Sequence, residues 1–270
     1  MPIDQIVKPP SPSRIPASVL IDTAKYIAVM AAVAILLSIG TQRLGYNWQW
    51  YRIPQYLGQF TDEGFRWGLL MQGLGVTFQI TSISLLLMLM IGLGTALMRM
   101  TNSWAARGVA RCYMEIIRNT PLLIQIFFIY FVLAPILGVS GFWSAIIALS
   151  LFEGAYASEI FRAGITSINK GQWEAAKSLG MSSAPMYRHI ILPQAIRRVL
   201  PPLTSQAVSL IKDSALVSTV AILDLTQQGR MIDAETFLTF EIWFTVAAIY
   251  LVITLILSGI VRILEQRFSI

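Results

Sequence analysis

Between residues 67 and 98 the chain carries no Asp, Glu, Lys or Arg. A helix rises ~1.5 Å per residue and the bilayer hydrocarbon is ~30 Å thick, so about 20 mainly apolar residues cross it. The stretch exceeds that length. No soluble surface can be built from it, because a water-facing helix needs a polar stripe. The same rule predicts further spans at residues 26–40, 121–137, 142–165, 201–223 and 242–261, six in all. Composition agrees: 56% of the 270 residues are hydrophobic and 13% are charged, against roughly 25% charged in soluble domains. A disordered chain, a collagen-like fibre and a disulfide scaffold are excluded. The class is an all-α polytopic membrane protein.

Residues 1–18 form a polar, Pro-rich lead (Pro2, Pro9, Pro10, Pro12, Pro16) that reads as a disordered tail. The apolar run at 26–40 is short. A cleaved signal peptide is its rival reading, and the long Pro-rich lead favours a retained span. Residues 41–66 carry Trp48, Trp50, Tyr51 and Tyr56, rings that suit the headgroup level. The expected organisation is a tail at 1–18, an additional helix with an external interfacial segment at 19–66, and a transmembrane domain at 67–270. Thr120 followed by Pro121 predicts an N-cap and a first helical residue.

Orientation follows from the positive charges. With the N-terminus inside, fifteen of the 20 Lys and Arg residues fall on inner segments. Four fall outside: Arg43, Arg52, Arg66 and Arg230. Lys212 lies within a span. The asymmetry predicts both termini in the cytoplasm.

Little in the sequence points to catalysis. There is no Gly-rich phosphate loop ending in Gly-Lys-Ser/Thr. Gly73-Leu74-Gly75 and Gly92-Leu93-Gly94 lie in apolar surroundings and read as close helix packing. Cys112 and His189 are the single cysteine and histidine, too few for a zinc site. No catalytic residue and no metal ligand is assigned.

Charges inside spans are costly and mark function by default. Glu153 is the foremost: it could meet a substrate amino group in a polar cavity, or pair with Lys212. Tyr156 lies one turn on and shares its face. Gln125 could hydrogen-bond substrate or join helices. Lys212-Asp213 interrupts the fifth span, as a pathway element or as a neutralised structural pair. Glu159 with Arg162, and Glu115 with Arg118, are spaced as ion pairs at helix ends, with gate residues as the sharper reading.

The inner segment at 166–198 is the most informative. It contains Gly171-Gln172-Trp173-Glu174-Ala175-Ala176-Lys177-Ser178-Leu179-Gly180-Met181 and then Ile190-Ile191-Leu192-Pro193. This reads as two short helices broken at Gly180, the second capped by Ser182 or Ser183 with Pro185 in its first turn. Trp173, Ala176 and Leu179 fall near one face. Small alanines beside an exposed Trp suggest a surface that another protein approaches closely.

The order Glu174-Ala175-Ala176, Gly180, Ile190 and Leu192-Pro193 resembles the EAA loop of bacterial ABC importer permeases. Three further segments resemble polar amino acid permeases of the histidine/glutamine/glutamate/arginine type. They are Arg118-Asn119-Thr120-Pro121-Leu122-Leu123-Ile124-Gln125, the run from Gly154 to Gly164, and the run from Ser209 to Leu216. The resemblance covers roughly residues 65–268. It implies a type I ABC importer transmembrane fold of five core helices, preceded here by one more. It implies that Glu174, Ala175, Ala176, Gly180, Leu192 and Pro193 couple to a separate ATP-binding subunit. ATP would then be bound by that partner and no cofactor by this chain. A second permease, identical or related, would complete the pathway, and an extracytoplasmic binding protein would deliver substrate. The expected setting is the bacterial inner membrane, with no nucleic acid involved. Glu153, Tyr156, Gln125, Lys212 and Asp213 stand as candidates for the substrate pathway. The rival function is a stand-alone secondary carrier for a small polar solute, which the intramembrane charges would suit and which would need no coupling loop.

Overall fold

The computed structural model describes residues 17–43, 45–62 and 64–268, which divide into two compact units, Met1–Trp48 and Gln49–Ile270. The first contains one helix, α1 (Ala17–Arg43), whose window Ile21–Gly40 is long and apolar enough to cross a membrane.

The second unit opens with a 3-10 turn (Trp50–Arg52), α2 (Pro54–Leu57) and a hairpin of β1 (Gly58–Thr61) and β2 (Gly64–Trp67). The hairpin register pairs Phe60 with Phe65 and Gly58 with Trp67. Neither it nor the part played by Gln49–Trp67 in this unit is legible as a mere interfacial stretch.

The charge-free stretch becomes α3 (Leu69–Met100), 32 residues and about 48 Å long. Next come α4 (Trp104–Arg118), α5 (Leu122–Phe127), a π-helical turn (Phe128–Leu133) and α6 (Ala134–Leu137), then α7 (Gly141–Thr166). Pro121 itself is the N-cap of α5; its carbonyl accepts from Ile124 and Gln125 N–H groups. The expected Thr120 cap is not made. The Thr120 hydroxyl donates back to Ile116 O at 2.8 Å, because the chain is still leaving α4 there.

Along α3 and α7 the contacts climb in step. Ser84 Oγ donates to Ile146 O (3.4 Å), a Cβ on Gly92 would lie 2.7 Å from that of Ala157, and Arg99 meets Glu159 at 2.6 Å. The two helices therefore run in the same direction. The chain between them must recross the layer, and it does so through α4 and α5–α6, which meet at 107°. The close approach at Gly92 depends on the missing side chain. Gly92→Leu would drive four carbons into the α7 backbone at Gly154 O and Ser158 N, both 3.1 Å from the added Cβ. Overpacking of that kind costs about 1–3 kcal/mol or more. We expect the variant to melt several degrees lower in detergent, as read by thermal unfolding of the purified chain.

After the loop, α8 (Lys170–Ser178), α9 (Ser183–Met186), a second π turn (Tyr187–Ile191) and α10 (Leu192–Asp213) follow. Both π turns stop one residue short of a Pro dipeptide position, Ala134-Pro135 and Leu192-Pro193. Proline has no N–H for the carbonyl four residues back and its ring crowds it, and widening the turn relieves both.

The helix that carries the fifth span starts at Leu192, nine residues before Pro201-Pro202, and passes through both prolines without a break. It is antiparallel to α7. Val199 packs where Gly164 has no side chain, and Leu210 shares a core with Leu149. Taken alone, α10 is not apolar enough to be counted as a span. Among the described residues four helices qualify, or five with the bent pair. It nonetheless lies along the full bundle: Gln206 meets Glu153 inside α7, and Arg198 donates to the Ser167 carbonyl at the end of α7. A 3-10 segment (Ser214–Val220) continues it past Asp213, then α11 (Leu225–Thr236) and α12 (Thr239–Phe268) complete the chain. The segment between the fifth and sixth predicted spans is thus helical. Asp224 caps α11 by accepting from Gln227 N–H at 2.8 Å.

The core has one large cluster where α3, α5, α7 and α10 meet, including Ile80, Ile126, Ile146, Leu149 and Leu210. A second lies at the α11 end, including Leu70, Leu74, Leu225, Ile232 and Ile242. The outward faces of α12 (Leu251, Leu255, Ile256, Ile260) remain exposed. Apolar area of that extent is stable against lipid or another chain, not against water.

Candidate coupling and translocation site

The loop at 166–198 is folded, not slack. The Asn169 side chain caps α8 by accepting from Gly171 N–H at 2.8 Å. The helix closes with Leu179 N–H to Ala175 O, Gly180 N–H to Lys177 O and Met181 N–H to Ala176 O. Gly180 sits at φ +72°, the left-handed turn that lets a helix end this way. Ser182 then occupies the N-cap of α9, without a side-chain cap bond, and Pro185 lies in the first turn.

The loop holds its own small core of Ile165, Ile168, Ala176, Met186, Ile191 and Ala195. Trp173 is half-buried, packed edge-on against Tyr187 with ring centroids 5.3 Å apart. The sequence reading of an exposed Trp beside small alanines is therefore corrected. Ala176 is buried and Trp173 pins α8 to the π turn, since a large ring gains more by packing than by standing in solvent. Leu179 does not join that face; it is 79% exposed. Glu174, Ala175, Leu179 and Gly180 together present one outward surface, and Leu192 and Pro193 are exposed at the start of α10.

The polar centre of the bundle lies between α7 and α10. Glu153 is fully buried, and Gln206 donates its amide to one carboxylate oxygen. The other oxygen has no hydrogen-bond partner. The Asp213 carboxyl approaches the same group. Tyr156, half-buried one turn along, lies under the Arg118 guanidinium at 5.7 Å. Lys212 does not pair with Glu153. It is exposed and shares a cavity with Ser258 and Arg262 of α12. Gln125 is committed elsewhere: its amide nitrogen donates to Ile117 O (2.8 Å), Thr120 O (3.1 Å) and Thr120 Oγ1 (2.8 Å), bracing the α4–α5 corner.

Glu159 binds Arg162 (2.5 Å) and Arg99 (2.6 Å), with Arg118 at 4.0 Å. Arg118 thus turns from Glu115, which instead accepts from the Asn119 amide at 2.9 Å. Sequence reasoning missed Gln206 and Arg99. Gln206 and Asp213 are seven residues apart and share a helix face, a signal that could have been read. Arg99 could not, since only folding brings α3 and α7 together.

Comparison with known proteins decides what such a bundle belongs to. Residues 88–270 match the family described as "binding-protein-dependent transport system inner membrane component". The chain belongs to this family. It is a permease subunit of an ABC transporter, and the stand-alone carrier loses its support. The glutamine transport system permease protein GlnP of Escherichia coli (strain K12) is 42% identical over 205 residues, 75% of this chain and 94% of that one. The probable glutamine ABC transporter permease protein GlnM of Bacillus subtilis (strain 168) is 39% identical, covering 74% and 93%. A crystal structure of an amino acid ABC transporter with histidines superposes with a TM-score of 0.70 at 39% identity, covering 74% of this chain and 94% of that one. The inward-facing MetNI methionine ABC transporter gives 0.64 at 20% identity, covering 75% and 97%, and shares the fold. The type I importer transmembrane fold is thereby established for this chain.

Proposed function

We propose that this permease forms half of a pathway that imports polar amino acids, driven by ATP on a separate subunit. The observation that carries the reading is the outward surface of Glu174, Ala175, Leu179 and Gly180. It is held on a helix that Trp173 and Ala176 fix to the bundle. A lever must be rigid toward its own domain and free toward its partner, and this one is both. The names of the relatives above, glutamine permeases and an amino acid transporter, support the substrate class. A second permease and an extracytoplasmic binding protein complete the machine. The excess of Lys and Arg on inner segments supports cytoplasmic termini in a bacterial inner membrane.

In this reading Glu153, Tyr156 and Gln206 line the substrate route. A carboxylate with one unengaged oxygen in a low-dielectric layer is a receptor for an ammonium group. The Asp213 carboxyl lies beside it. Gln125 positions the α4–α5 corner, and Lys212 stands off the route. Nucleotide sits only on the partner.

The test is assembly and transport together. The chain is tagged, expressed with candidate ATP-binding subunits, extracted in mild detergent and reconstituted with a binding protein. Co-purification of an ATPase and ATP-dependent uptake of glutamine or a related amino acid are the expected results. Uptake driven by an ion gradient by the chain alone would overturn the reading.

A further inference from the structure

We propose that the arginine-lined basin at the far end of α3 and α7 binds the phosphate of an anionic membrane lipid. The proposal needs the membrane placement that the family gives and is independent of which solute is carried.

The basin is a cavity of about 580 Å³ lined by Arg99, Arg107, Arg111, Arg118 and Arg162, with Glu115 the one acid among its walls. Glu159, just behind, engages Arg99, Arg118 and Arg162. Five cations against these two acids leave a net charge of three. Arg107 and Arg111 are exposed, and no acid among the described residues pairs with either. Guanidinium groups grip phosphate oxygens through paired N–H donors, so several converging on one space select a phosphate.

Depth chooses a lipid. Arg99 is one residue from the end of α3 and Arg162 four from the end of α7. Two parallel spans that end together put their ends at the headgroup level. On α4, Ala110, Met114 and Ile117 are buried against the bundle, and Arg107, Arg111 and Arg118 form the adjoining stripe, turned into the basin. A basic pocket between helices at the headgroup level suits the phosphate of an acidic lipid.

The experiment uses the chain purified with its ATPase subunit in mild detergent. Native mass spectrometry follows titration with phosphatidylglycerol, with phosphatidylcholine of the same acyl chains, and with inorganic phosphate as competitor. Phosphatidylglycerol should bind in preference to phosphatidylcholine. Each Arg near a membrane surface contributes about a fivefold factor. Arg107→Gln with Arg111→Gln should therefore weaken phosphatidylglycerol binding roughly twenty-five-fold, while the paired Lys replacements, which keep the charge but not the paired donors, recover part of it. Arg111→Gln alone, expected at about fivefold, serves if the double variant does not assemble. Equal binding of the two lipids, or unchanged affinity in the Gln variants, overturns the proposal. Displacement of the lipid by millimolar inorganic phosphate reassigns the basin to a free anion and also overturns it.

Discussion

Glu174→Lys leaves the chain folded and lowers ATP-driven uptake by about thirtyfold or more. Within this chain Glu174 is exposed on α8 and its side chain holds nothing together; the Ser178 hydroxyl bonds to its backbone carbonyl, which the substitution retains. Stability should therefore stay within about 0.5 kcal/mol, as for surface changes generally. At an interface the same change replaces a paired charge with a repulsive one. Losing a buried, hydrogen-bonded charge pair costs about 2–5 kcal/mol, chiefly in dissociation rate. The measurement is uptake in proteoliposomes alongside the yield of co-purified ATPase and the melting temperature. Lost uptake with an unchanged melting temperature locates the defect in coupling. Wild-type uptake with normal assembly would remove Glu174 from that role.

Glu153→Gln should weaken substrate binding roughly tenfold to a hundredfold, because a hydrogen bond to a charged group contributes about 1.5–3 kcal/mol. The substitution keeps the volume and lets the side-chain oxygen still accept from Gln206. What it removes is the second carboxyl oxygen, the one left without a partner. Calorimetry on the purified complex, with the binding protein left out, separates the permease's own affinity from delivery. Several amino acids should be tested, since the effect ought to follow the ammonium group common to all of them. Identical dissociation constants across the set would make Glu153 a brace for Gln206 and nothing more. Glu153→Leu provides the contrast. It strands the Gln206 amide in the bundle, so the melting temperature should fall along with binding.

The two sites differ in how much of them the sequence exposed. The coupling loop was readable because its parts are local. Glu174 and Gly180 lie six residues apart on one helix and its terminator, and a left-handed glycine behind a short helix has a sequence signature. Even there, the role of Trp173 was misread. Its partner Tyr187 lies across a turn, and one-dimensional spacing does not say which neighbour a ring will choose. The polar centre was readable only in half. A carboxylate in an apolar run announces itself, and Glu153 did. Its pairing with Gln206, not Lys212, depends on how α10 is rotated against α7.

Helix boundaries divide along the same line. The spans α3, α7 and α12 follow from apolar length, a property of the chain itself. The span carried by α10 does not. Its polar residues make it too hydrophilic to qualify alone, and neighbours such as Gly164 and Glu153 let it lie in the bundle. The bend between α4 and α5, and the basin of arginines beside it, are likewise products of packing. Arg99 and Arg162 are far apart in sequence and meet because α3 and α7 run in parallel.

The sequence by itself determined that this protein lives in a membrane, roughly where it crosses, and that one loop folds as short helices broken at Gly180. These follow from apolar length, charge asymmetry and turn chemistry, each set by residues within a few positions of one another. The tertiary structure alone decided which polar side chains face each other. Inside the layer a buried donor or carboxylate is held by whatever group the packing of distant helices brings within hydrogen-bonding reach.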